Sequence, residues 1–127
     1  MKLNGNIQIG ETSKTLNDLV NSSYDSGWIY PTLSAGWTSQ YSGSPTRYRK
    51  IGNVVFLESF VDGTSAASDV LFTLPEGFRP SCQYTRYIAY SAYANYGINI
   101  LNNGNVSVLN KNGAIKWLAI NHSFIAN

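Results

Sequence analysis

The sequence predicts an all-β domain, an antiparallel, jelly-roll-like β-sandwich, and three observations point there. Short runs alternating apolar and polar residues recur roughly every 8–12 residues. Tight-turn chemistry separates them: Gly52-Asn53, Asn102-Asn103-Gly104-Asn105 and Asn110-Lys111-Asn112-Gly113. Two of the longer runs are apolar on both faces, so a layer of structure must cover each side of them.

The elements follow in order. Asn6-Ile7-Gln8-Ile9 alternates and reads as a short strand or extended arm, stopped by Gly10. From Thr12 the chain suggests a two-turn helix capped by Thr12 or Ser13, with Leu16, Leu19 and Val20 on one face. A helix that short needs a surface to lie on. Residues 1–25 therefore read as an arm-and-helix connector, and residues 26–127 as the β domain. Strands are expected at Trp28–Tyr30, near Trp37–Tyr41, and at Thr46–Ile51 and Val54–Val61 around the Gly52-Asn53 hairpin. Others follow at Val70–Leu74, Gln83–Tyr93, Gly97–Leu101, Val106–Leu109 and Ala114–Ile125. In the fourth run Val55, Leu57 and Val61 share one face, while Val54, Phe56 and Phe60 share the other. The last run sets Leu118, Ile120 and Phe124 against Ile115, Trp117 and Ile125. Apolar side chains on both faces imply that both are covered, by a second layer and a further subunit, or else by a crowded monomer core around a central strand.

Composition excludes several functions. Nine Lys/Arg stand against seven Asp/Glu, and charged residues are only 13% of the 127. That is about half the usual share. The only basic cluster is Arg47, Arg49 and Lys50, better suited to guarding a strand edge than to tracking a nucleic acid. No apolar run approaches the length of a membrane helix, and the N-terminus lacks the core of a signal peptide. Cys82 is the one cysteine and His122 the one histidine, so neither a disulfide, a zinc site nor a Ser-His-Asp triad is expected. Cys82 reads as a half-buried filler and His122 as a packed side chain. The carboxylates Glu58, Asp62, Asp69 and Glu76 show no spacing that pairs two of them for glycoside hydrolysis. Neither a cofactor nor a metal is expected, and the chain reads as a binder rather than an enzyme.

Binding has better material. Five tyrosines fall between Gln83 and Tyr96. Alternation puts Tyr84, Arg86, Ile88 and Tyr90 on one face and Thr85, Tyr87, Ala89, Ser91 and Tyr93 on the other, one of which is core. Aromatic rings suit the C–H faces of sugars while their phenols stay hydrated. Arg86 offers a fork for a carboxylate or phosphate. Tyr93, Asn95 and Tyr96 at the loop-like end, with Tyr87 and Arg86, are the expected saccharide contacts. The tryptophans Trp28, Trp37 and Trp117 read as core or interface.

Two stretches carry a resemblance: Tyr48-Arg49-Lys50-Ile51-Gly52-Asn53-Val54-Val55-Phe56-Leu57, and Leu71-Phe72-Thr73-Leu74-Pro75-Glu76-Gly77-Phe78-Arg79-Pro80. With Gly97-Ile98-Asn99-Ile100 and Asn103-Gly104-Asn105-Val106, and with residues 4–19 as a connector, the chain resembles the C-terminal head domains of phage tail and baseplate receptor-binding proteins. The resemblance implies a homotrimeric head at a tail tip, part of the virion. Such a head attaches the particle to a cell-wall polysaccharide or teichoic acid of the host, and its N-terminal arm meets other tail or baseplate proteins. Two other readings stay open: a structural tip module that caps a trimer without a ligand, and a polysaccharide depolymerase.

Overall fold

A computed structural model of the chain describes residues 6–9, 12–15, 24–91 and 94–126. Every described element is a strand or a connection between strands, and all pairings are antiparallel. β1 (Asn6–Ile9) pairs with β2 (Thr12–Thr15) as a separate hairpin. The helix expected to begin at Thr12 is thus corrected over its first turn; its remainder, 16–20, lies outside the described residues. Thr12 and Thr15 carry β-branched side chains, stiff in a helix and well suited to a strand.

The other eight strands form one sheet: β3 (Thr38–Ser39), β4 (Arg47–Ile51), β5 (Val54–Asp62), β6 (Val70–Thr73), β7 (Tyr84–Tyr90), β8 (Asn95–Leu101), β9 (Asn105–Val108) and β10 (Leu118–Ile125). Their order is β3-β5-β10-β7-β8-β9-β6, with β4 beside β3 along the same edge of β5. The sheet curls strongly into a half-barrel. The layers that a sandwich would supply as two sheets are here continuous through hydrogen bonds.

Alternation decides what faces inward. Val55, Leu57 and Val61 of β5, Leu118, Ile120 and Phe124 of β10, and Ile98 and Ile100 of β8 are buried in the concave core. Leu71 and Phe72 of β6 and Val106 and Val108 of β9 face them. Thr46 and Ser59 are buried as a hydroxyl pair 2.7 Å apart, which satisfies both.

Residues 24–34 close the open side of the half-barrel. Ile29 and Tyr48 exchange backbone hydrogen bonds of 2.8 and 2.9 Å, and Ser26 N–H donates to the Lys50 carbonyl, so this segment runs along β4. A few residues on, Ser34 N–H donates to the Leu71 carbonyl of β6 at 2.7 Å. Trp28–Tyr30 is therefore a closing strap with isolated bridges rather than the strand expected. Trp37 anchors its far end: its indole is 3% exposed and donates to the Ser68 carbonyl at 3.0 Å.

The expected strand at Ala114–Ile125 begins only at Leu118. Ile115 is buried beyond it, its carbonyl accepting Gly63 N–H, and Trp117 sits at φ +62°. A left-handed backbone at a bulky residue costs about 1–2 kcal/mol. Between β10 and β7 the backbone pairing is at Ala119 and Tyr90, and side chains continue the contact where His122 meets Tyr87 and Thr85.

Candidate functional site

The convex face of β4, β5 and β10 carries the candidate site. The two-residue turn at Gly52-Asn53 sets Ile51 opposite Val54, Arg49 opposite Phe56 and Arg47 opposite Glu58. β10 then adds Ile125 beside Val54, Ser123 beside Phe56 and Asn121 beside Glu58. Three cross-strand rows result, in order along β5: one apolar, one mixed and one polar.

Two adjoining hollows lie over these rows. The larger, about 530 Å³, is lined by Trp28, Arg49, Ile51, Phe56, Glu58, Asn121 and Ser123, with parts of Leu57 and His122. The smaller, about 360 Å³, is lined by Gly43, Ser44, Pro45, Arg47, Glu58, Ser59, Phe60, Ala119 and Asn121. Glu58 and Asn121 border both, so the hollows form one groove with a polar middle and aromatic walls. Each volume falls within the range of small-ligand sites.

The groove is electrostatically compensated. Arg47 Nε donates to Glu58 at 2.9 Å, and Arg49 Nε donates to Asp25 at 2.8 Å. Arg49 and the Gly27 N–H hold the Asp25 carboxyl down to about 2. The Arg47 guanidinium lies 4.0 Å from the Trp28 ring centroid and that of Arg49 5.7 Å, which braces the indole as a wall. Two cations thus meet two carboxylates, so the charges of these four groups cancel.

A second aromatic group stands at the Phe60 end. Tyr41, Phe60 and Trp117 have ring centroids 5.5–6.0 Å apart in tilted or edge-on arrangements, with Tyr41 50% and Trp117 41% exposed.

The residues expected to touch a saccharide are divided by the sheet. Arg86 is exposed on the convex face, its guanidinium 5.1 Å from the Tyr84 ring, and Asn95 is exposed beside Tyr90. Tyr87 and Tyr96 are half-buried and pack against the core. Tyr93 lies outside the described residues. Arg86 pairs with Asn99 and Asn95 with Tyr90, so these side chains are spread along the β7–β8 hairpin rather than gathered in one hollow. The row Tyr84, Arg86, Ile88 and Tyr90 is the solvent-facing one, with Ile88 58% and Tyr90 62% exposed. The groove residues escaped this reading because they converge from distant strands. One signal was available: the Gly52-Asn53 turn dictates that Arg47 faces Glu58.

Cys82 is exposed, not half-buried as expected, because it lies in the turn between Pro80 and β7; its thiol donates to the Tyr84 carbonyl. His122 is packed, as expected: it stacks on Tyr87 with centroids 5.0 Å apart, beside Thr85 Oγ1 at 3.2 Å. Burial pushes its pKa below the ordinary value. The folded state then prefers neutral imidazole, so the unfolded chain binds more protons between the folded and unfolded pKa values. This contribution is present above the unfolded value of about 6.5 and is lost as pH falls through the folded one. Melting temperature is therefore expected to drop between pH 7 and 5, and His122→Gln should flatten that slope. An unchanged slope in the variant would assign the effect elsewhere. Asp25, already ionised in this range, contributes only in stronger acid.

Neither a protein-family model nor a curated protein matches the chain.

Proposed function

We propose that the domain is a saccharide-binding head of a phage tail receptor-binding protein, and that the convex groove of β4, β5 and β10 holds a segment of host cell-wall polysaccharide. The observation that carries this is the pairing of a polar centre, Arg47, Glu58 and Asn121, with aromatic walls from Trp28, Phe56 and Phe60. Sugars present hydroxyls around the ring edge and C–H groups on its faces, and this arrangement answers both. Charge compensation within the groove favours a neutral polysaccharide over the phosphate-rich teichoic acids, for which unpaired cations would be needed. Glu58 is the one carboxylate among the described residues lining the groove, and it is ion-paired. Binding is thus favoured over the two-carboxylate chemistry of hydrolysis.

Three heads on one tail fit this reading, since modest single-site affinity multiplies on a repeating polymer. The exposed row Tyr84, Ile88 and Tyr90 offers the apolar surface for self-association. The N-terminal arm, with the β1–β2 hairpin, is the part that would meet other tail or baseplate proteins.

The test is retention of the purified chain on a panel of bacterial cell-wall polysaccharides and teichoic acids. Retention on at least one neutral polysaccharide is expected. Trp28→Ala should weaken it tenfold or more while leaving the thermal transition within a few degrees, because Trp28 is only half-buried. A blank panel would overturn the saccharide reading and favour a structural tip module. Release of reducing ends would instead establish a depolymerase.

A further inference from the structure

We infer that Tyr41, Phe60 and Trp117 form a stacking platform that receives one pyranose ring of the bound polysaccharide beyond the Phe60 end of the groove. The inference rests on the saccharide reading above and extends it to two residues, Tyr41 and Trp117, that line neither hollow.

Three observations carry it. First, an unfavourable backbone conformation leaves this indole partly exposed beside Tyr41 and Phe60. Trp117 sits at φ +62°, while its neighbours Ile115 and Leu118 are 1% and 0% exposed and already serve the core. A bulky side chain at positive φ persists only where its surroundings enforce it. Here the backbone N–H of Trp117 donates to Gln40 Oε1 at 3.1 Å, and Gln40 N–H is itself tied to the Phe60 carbonyl at 2.8 Å.

Second, the rings are arranged as a shallow corner. Interplanar angles of 78° for Tyr41–Trp117, 65° for Phe60–Trp117 and 44° for Tyr41–Phe60 mean that no ring is covered face to face by another. Third, the platform is continuous with the groove. Phe60 belongs to both, and Ser44 and Asn121 stand beside it as hydrogen-bonding groups for hydroxyls at the ring edge. A chain of sugars leaving the polar centre would meet the platform next.

The test uses the full chain and the polysaccharide retained in the panel described above. Trp117→Gly removes the indole and places at φ +62° the residue that tolerates it best. Its melting temperature is expected to match or exceed that of the wild type, while affinity falls at least tenfold. Tyr41→Ala, at a half-exposed position, should weaken binding in the same direction, and it supplies the readout if Trp117→Gly does not fold. Wild-type affinity in both variants would overturn the platform, yet leave the groove standing if Trp28→Ala still binds weakly. Unchanged affinity with a smaller assembly by light scattering would assign the rings to contact between copies and overturn the platform as well. No retention of the wild type on any polysaccharide removes the underlying reading, a result distinct from either.

Discussion

Gly36→Ala is expected to destabilise the domain by about 3 kcal/mol or more, enough to move its urea midpoint far below that of the wild type. Gly36 has φ +86°, and a Cβ there would lie 2.3 Å from the Ser65 carbonyl oxygen and 2.6 Å from the Ala66 Cα. Both are backbone atoms, so no side chain can swing aside to make room. The two loops meet here because Trp37 must reach under Gly63 to bond the Ser68 carbonyl; a Cβ on Gly63 would meet the indole at 2.4 Å. Alanine at position 36 would thus push the strap away from its anchor and disturb the burial of Trp37. Gly43→Ala is the matched control. Nothing lies within 4 Å of a Cβ at that site, and its effect is expected to stay within about 0.5 kcal/mol. Equal midpoints for the two variants would show that the loops give way freely.

Tyr48→Ala should cost about 3–5 kcal/mol, the usual range for removing a buried aromatic ring. Tyr48 is 4% exposed and lies where the curled sheet nearly meets itself. Its ring is parallel to that of Phe72, 6.4 Å away on β6, and edge-on to Phe78 at 5.2 Å. The same residue bonds Ile29 through both its backbone groups. Burial also raises the pKa of its phenol. Without the ring, the strap and β6 would border a cavity that neither can fill. Tyr48→Phe keeps the packing and is expected to remain within about 1 kcal/mol. Chemical denaturation of the three proteins side by side would check this; a mild effect of alanine would mean that the two margins of the sheet hold together without the ring.

Much of the sheet was legible because local chemistry and burial agree there. The Gly52-Asn53 turn and the alternation through Val55, Leu57 and Val61 lead directly to the β4–β5 hairpin and its inward face. Thr12–Thr15 misled because a hydroxyl before an apolar repeat looks like a helix cap, whereas β-branching and a partner strand prevail. Ala114–Trp117 looked like strand from its apolar content; tertiary contacts of Ile115 and Trp117 break the alternation. For the tyrosines between Tyr84 and Tyr90, period two separates the faces but cannot say which one meets water. That depends on the curl of the whole sheet. The groove was hidden for a related reason: Trp28, Glu58 and Asn121 come together only through strand pairing, and no local spacing announces them.

The central pairing of β5 with β10 also sets a clock. Val54 lies opposite Ile125 and Val61 opposite Leu118, so the middle of the sheet joins stretches about sixty residues or more apart. The entropy of closing that loop must be met before its contacts reward it, which places the chain among the slower small folders, in milliseconds to seconds. During synthesis β5 would wait, with Phe56 and Val61 unpaired on this side, until the last described strand has emerged. A stop codon ahead of Leu118 would leave β5 without its long partner, and so remove the middle of the sheet rather than trim its margin.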